Sequence, residues 1–179
     1  MFPELKEFLW QAERTEIPVS VLAEMAIDTP SAIAELVHIA TNKDSQDASW
    51  RAAWVLTKVA DANSPMLQSF APRLISFLLQ SANECSFGLL RGLLRTLTDM
   101  EYTEDEDGKF LEFCSKIFKS QVFPKAVRVN AMHVATNIVL KYPELKNEII
   151  TEFQIIGSQE EKSIAAACRI QTKRLNRFT

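Results

Sequence analysis

The stretch Asp47–Gln80 constrains the chain most, because a segment that is apolar on nearly every side runs into one that is apolar on a single side. Between Ser49 and Ala62, Trp50, Ala52, Ala53, Trp54, Val55, Leu56, Val59 and Ala60 leave almost no polar stripe. A helix with that pattern must be buried all round. Asn63-Ser64-Pro65 interrupts it. Ser64 is expected to cap the next helix through its hydroxyl, and Pro65 at the first helical position gives up only an N–H without an intrahelical partner. Leu67, Phe70, Leu74, Phe77 and Leu78 then recur at three- and four-residue steps, with Gln68, Arg73, Ser76 and Gln80 between them. This predicts one continuous helix with an apolar stripe and a wet face. A buried helix folded back on a half-exposed one is a unit that can stack on copies of itself.

The same alternation extends in both directions. Phe2, Leu5, Phe8, Leu9 and Ala12 form the one-sided stripe of a capping helix. Pro18 opens a helix through Val21, Leu22, Met25 and Ala26, and Asp28-Thr29-Pro30 opens another through Ile33, Leu36, Val37 and Ala40. Further on, Phe87, Leu89, Leu90, Leu93, Leu94 and Leu97 make a second nearly all-apolar helix. An acidic connection, Glu101 to Asp107, is ended by Gly108, and the helix after it carries Phe110, Phe113, Cys114, Ile117 and Phe118. Ala126–Leu140 and the stripe Leu145, Ile149, Ile150, Phe153, Ile156 form the next pair, turned by Tyr142-Pro143. Gly157 is expected to stop that helix, and Ser158-x-x-Glu161 to form a capping box for the last one, Ile164–Arg177. No segment alternates like a strand, so the expectation is roughly nine helices and no sheet.

Superposing RAAWVLTKV, RGLLRTL, RVNAMHVAT and IAAACRIQT places Trp54, Leu94, Ala131 and Ala167 at equivalent positions, spaced 40, 37 and 36 residues apart. The first three segments share an arginine: Arg51, Arg91 and Arg128. This pattern resembles the HEAT and armadillo families of helical repeats. Val127-Arg128 is the closest match to the Val-Arg pair that HEAT units carry before their small apolar residues, and Trp50-Arg51 is a looser one. Ile164 replaces the arginine in the last unit, as a terminal repeat would. The resemblance covers Pro18 to the C-terminus. It implies an all-α fold, an α-α superhelix of about four to five helical hairpins forming one domain over residues 1–179. The second helix of each pair would line the concave side. Helical phase then puts Arg73, Ser76, Glu112, Lys116, Asn147 and Thr151 on a binding face.

Little else in the sequence suggests chemistry. The net charge of −3 argues against a general phosphate-binding surface. Cys85, Cys114 and Cys168 are widely spaced without a CxxC pair, which reads as reduced thiols in a cytoplasmic protein. MFPELKEFLW does not read as a signal peptide, and no apolar run approaches the ~20 residues of a membrane span. His38 and His133 lie in apolar helices without ligand spacing, so both are expected to pack rather than bind metal. GxSxG, GxGxxG and GxxxxGK[ST] patterns are absent. The acidic run Thr103–Gly108 fails a calcium-loop register, which would put Thr103 first and Cys114 twelfth, and reads as a solvated connection. Trp50 and Trp54 could stack a base or a methylated cation, but the pattern around them predicts core positions. Arg51, Arg91 and Arg128 are expected to bond neighbouring units rather than read phosphates. The reading is therefore a non-catalytic protein–protein interaction scaffold with protein partners, no cofactor, no metal and no membrane contact. The alternative is a nucleic-acid-binding protein, or a HEAT-like DNA glycosylase acting on alkylated bases through Trp50, Trp54, Asp61 and the three arginines.

Overall fold

The computed structural model describes residues 18–42, 46–62, 64–101 and 104–177, so the helix expected at Phe2–Ala12 lies outside the described residues. Among those described there are ten α-helices and no strand. They fall into two compact units, Met1–Thr103 and Glu104–Thr179.

The first unit contains α1 (Val19–Ile27), α2 (Pro30–Ala40), α3 (Gln46–Asp61), α4 (Pro65–Gln68), α5 (Ala71–Ser81) and α6 (Phe87–Leu97). Helix α3 is the buried one, with Ala52, Ala53, Val55, Leu56 and Val59 fully enclosed against α1, α2 and α6. It runs antiparallel to α2: the Ser49 hydroxyl lies within donating distance of the Ile39 and Asn42 carbonyls (3.0 and 2.8 Å) at the end of that helix. It runs parallel to α6. The Thr57 hydroxyl lies within donating distance of the Ala53 carbonyl on its own helix (3.0 Å) and the Gly92 carbonyl on α6 (3.3 Å), and one turn further on Arg95 reaches Asp61 (2.6 Å). Small residues set this approach, since a Cβ on Gly92 would sit 2.9 Å from the Cβ of Ala53. Ser86 caps α6, its hydroxyl accepting the Leu89 N–H at 3.2 Å.

The segment after Ser64 departs from the single helix expected. It breaks at Ser69–Phe70 into the one-turn α4 and the longer α5. Pro72 is the reason: inside a continuous helix it would remove a hydrogen bond and press on the carbonyl of Gln68, whereas in the first turn of α5 it costs nothing. Ser64 does not cap α4 either. Its hydroxyl donates to the Ile27 carbonyl (3.1 Å) and ties the exit of α3 to the end of α1. The Gln68 amide then clasps the backbone of Glu101, accepting its N–H and donating to its carbonyl.

The second unit contains α7 (Glu104–Lys119), α8 (Lys125–Val139), α9 (Lys146–Gln159) and α10 (Lys162–Arg177). Its core is built on Phe110, Phe118 and Phe153, all fully buried, with the rings of Phe118 and Phe153 5.3 Å apart. Helices α8 and α10 are parallel: Arg128 and Lys125 at the start of α8 pair with Glu160 and Glu161 at the start of α10, and Asn137 accepts from Arg174 (2.7 Å) near their ends. Helices α7 and α9 are likewise parallel, in a second layer; Lys119 and Ser115 both reach Glu152. Both units thus alternate a buried helix with a half-exposed one, and helices of the same kind run side by side.

Three expectations change here. The acidic connection is helical from Glu104 to Asp107, and Asp107 is 1% exposed rather than solvated. Its Oδ2 accepts from the Tyr142 hydroxyl (2.9 Å) and lies 3.5 Å from the Lys141 ammonium. Gly157 does not stop α9, which continues to Gln159. It is small because α10 is close: an added Cβ would meet that of Cys168 at 3.3 Å. The Ser158 hydroxyl bonds back to the Ile155 carbonyl and Glu161 is taken by Lys125, so both have partners other than a capping box.

Candidate interaction surface

Trp50 and Trp54 stand one turn apart on α3 and stack, with ring centroids 5.8 Å apart and planes at 19°. Trp54 is 46% exposed, against the core position expected of it. Helical phase gives the reason. Burial on α3 falls on Ala52-Ala53 and Val55-Leu56, on α6 on Leu93-Leu94 and Thr96-Leu97, and on α8 on Ala131-Met132 and Val134-Ala135. Aligned by burial, Trp54 corresponds to Arg95 and His133, one step away from Leu94 and two from Ala131. Position 54 therefore falls in the gap between two buried pairs, where the parallel neighbour helix leaves an opening.

Helix α6 supplies the other side of this surface. Gly88 faces Trp50: a Cβ added there would lie 3.8 Å from the Trp50 Cβ. Phe87 beside it is 47% exposed, and Arg91, one turn on, is exposed as well. The far end of the ridge is ionic: Asp61 is held by Arg95 and Lys58, and Arg95 also reaches Asp99 (3.3 Å). The result is an aromatic patch bounded on one side by a closed ion-pair cluster. Large exposed aromatics with an arginine nearby are the side chains that dominate protein–protein binding energy. The sequence read the tryptophans as core because composition alone does not fix which side of a helix the neighbour leaves open.

The six residues chosen by helical phase are all exposed. Arg73 and Ser76 lie on α5. Arg73 reaches His38 Nδ1 and Thr41 Oγ1, both at 3.3 Å, and Ser76 accepts from Gln80 (2.9 Å). His38 is thus exposed rather than packed; His133 is half-buried. Glu112 and Lys116 on α7 pair with each other (2.7 Å), and the Lys116 ammonium holds the Glu112 carboxyl below its ordinary pKa. They line an open groove of about 400 Å³ between α7 and α9, together with Ser115, Lys119, Glu148 and Glu152. Asn147 and Thr151 on α9 do not line it; the Thr151 hydroxyl turns back to the Asn147 carbonyl (2.8 Å). Sequence phase missed Glu148 and Glu152, which face the groove beside the apolar Leu145 and Ile149 stripe.

The three recurrent arginines are not equivalent. Arg51 is half-buried with its Nε unpartnered, Arg91 is exposed, and Arg128 is 3% exposed. Arg128 donates through Nε to the Phe118 carbonyl (2.9 Å) and through Nη2 to Glu160 (2.8 Å). That hydrogen bond holds the Glu160 carboxyl below its ordinary pKa against the opposing effect of burial. Arg128 therefore stitches three helices together, as expected of the series. No cluster of His, Cys, Asp and Glu able to hold a metal exists among the described residues, and none of their helices is long and apolar enough to cross a membrane. Cys114 is buried, and burial raises its thiol pKa far above the ordinary value; Cys168 is raised by the same cause.

A family model described as HEAT repeat domain matches residues 6–175. No curated protein and no solved structure matches the chain.

Proposed function

The chain belongs to the HEAT repeat domain family, and from that premise we propose that it is a non-catalytic interaction scaffold whose partner is a protein. A single family match across both units supports treating them as one repeat domain. The observation that carries the reading is the Trp50–Trp54 stack, half-buried at Trp50 and exposed at Trp54, together with the exposed Phe87. A partner would bury these rings with aliphatic or aromatic side chains of its own, and Arg91 would pair with a carboxylate at the rim. Arg73, Ser76, Glu112, Lys116, Asn147 and Thr151 are proposed as further contacts on the half-exposed helices. The glycosylase alternative draws less support, since Asp61, its candidate carboxylate, is engaged by two cations and Arg128 is buried. Cytoplasmic residence is part of the same proposal and is supported by the free thiols.

The test compares proteins captured by the wild type with those captured by a Trp54→Ser, Phe87→Ser variant. Both proteins are first matched for helicity and melting, and the recovered partner is then titrated in purified form. At least a tenfold weaker affinity for the variant is expected, the usual consequence of removing interface aromatics. Equal affinity, or retardation of duplex DNA by the wild type at micromolar concentration in ~150 mM salt, would refute the reading.

A further inference from the structure

A second groove lies within the second unit, between α9 and α10, and is independent of the tryptophan surface. It is open and measures about 560 Å³. Phe153, Gly157, Ala165 and Cys168 form an apolar floor in which only Gly157 is not buried, so the stems of the wall residues supply the rest of its open apolar surface. The floor exists because the two helices touch through their smallest residues: at Gly157 an added Cβ would meet Cys168 at 3.3 Å and the Ala165 backbone at 3.9 Å. Arg169 and Lys173 stand on its α10 wall one turn apart, both exposed, with Gln154, Thr172 and Asn176 completing the lining.

No carboxylate lines this groove, although the chain as a whole carries 23 acidic residues against 20 basic ones. Several other cations of the unit are engaged: Lys119 by Glu152, Lys125 by Glu161, Arg128 by Glu160, and Arg174 by Asn137. An apolar floor beneath two cations is complementary to a segment that offers an apolar side chain and carboxylates together. Residues one helical turn apart stand roughly 5–6 Å from each other, so Arg169 and Lys173 match two carboxylates at the same spacing on a facing helix. Duplex DNA fits less well: two cations neutralise few phosphates, and the floor offers them nothing.

We propose that the α9/α10 groove binds an acidic amphipathic helix of a protein partner, with an apolar side chain seated over Gly157 against the aliphatic stems of Arg169 and Lys173, and carboxylates on their charged ends. The four glycines make this directly testable, since labelling with ¹⁵N-glycine yields only four amide signals from the chain. Gly157 reports on the groove, Gly88 on the tryptophan surface and Gly92 on the core between α3 and α6.

The probe is a roughly 15-residue Ala-based helical peptide with one Leu stripe flanked by Glu at i, i+4 positions, and its twin has Lys in place of Glu. The acidic peptide is expected to move the Gly157 signal saturably at high micromolar concentration and to leave Gly88 and Gly92 in place. The double variant Arg169→Glu, Lys173→Glu changes only exposed side chains. It should bind the acidic peptide about tenfold more weakly and the Lys twin more tightly, because like charges now face each other. No movement of Gly157 up to millimolar peptide, or equal affinities before and after the reversal, overturns the proposal. So does a single-stranded oligonucleotide that moves Gly157 at lower concentration than the peptide. A Gly157 shift that tracks protein concentration with a dimer in sedimentation assigns the groove to a second copy and overturns it too. Movement of Gly88 alone would bear on the tryptophan surface and count against the groove.

Discussion

Gly92 is a point of close approach between α3 and α6, and replacing it with alanine sets two effects of known size against each other. In an exposed helix, Gly→Ala stabilises by about 1 kcal/mol through backbone entropy. At Gly92 the new Cβ would lie 2.9 Å from the Ala53 Cβ, 3.3 Å from its carbonyl carbon and 3.4 Å from its carbonyl oxygen. Two of those atoms are backbone, so relief requires the helices to part, which also lengthens the 3.3 Å contact between the Thr57 hydroxyl and the Gly92 carbonyl. Overpacking of that kind costs about 1–3 kcal/mol. The net expectation is a loss of about 1 kcal/mol, a fall in Tm of roughly 2–4 °C. Gly108 is the internal control: it is helical and exposed, and an added Cβ meets nothing within 4 Å. Gly108→Ala should stabilise by about 0.5–1 kcal/mol. Thermal and urea unfolding followed by far-UV circular dichroism would read both variants. A Gly92→Ala protein as stable as the Gly108→Ala protein would refute the argument that small residues set the α3–α6 distance. Ala53→Gly combined with Gly92→Ala removes only the 2.9 Å contact, so a favourable coupling of at least ~0.5 kcal/mol is expected from the double-mutant cycle.

Trp54→Ala should cost about 1–2 kcal/mol, since half of the ring is already in water, whereas Phe118→Ala in the enclosed core should cost about 3–5; comparable losses in urea titrations would contradict the burial assignment. Arg128 holds the Glu160 carboxyl pKa below its unfolded value, so its contribution is present above the ordinary carboxylate range near ~4.3 and is lost as pH falls through the depressed folded value. The Tm gap between wild type and Arg128→Met should accordingly narrow below about pH 4, and a gap independent of pH down to ~2 would deny the coupling. At pH 8 iodoacetamide should modify the half-buried Cys85 first and reach Cys114 only through unfolding, because burial keeps that thiol protonated; equal labelling rates in mass spectra would show that Cys114 is not enclosed.

Helix existence and kind follow from local sequence: the all-round apolar runs became the buried α3, α6 and α8, and the one-sided stripes became α5, α7 and α9, because hydrophobic periodicity is a property of neighbours along the chain. The family resemblance rested on the same spacing. The break at Ser69–Phe70 was also legible, in Pro72, although the stripe around it suggested continuity. What tertiary structure decided was phase and partnership. Trp54 is exposed because α6 approaches α3 at Ala53 and Gly92, which turns the tryptophan into a gap between buried pairs. Asp107 is enclosed because Tyr142 and Lys141, some 35 residues on, meet it there. The α9/α10 groove depends on the closeness of Gly157 to Cys168. A sequence states which residues share a helical face; how far that face is covered depends on the distance and angle of the next helix, and those are set by contacts between segments remote in the chain.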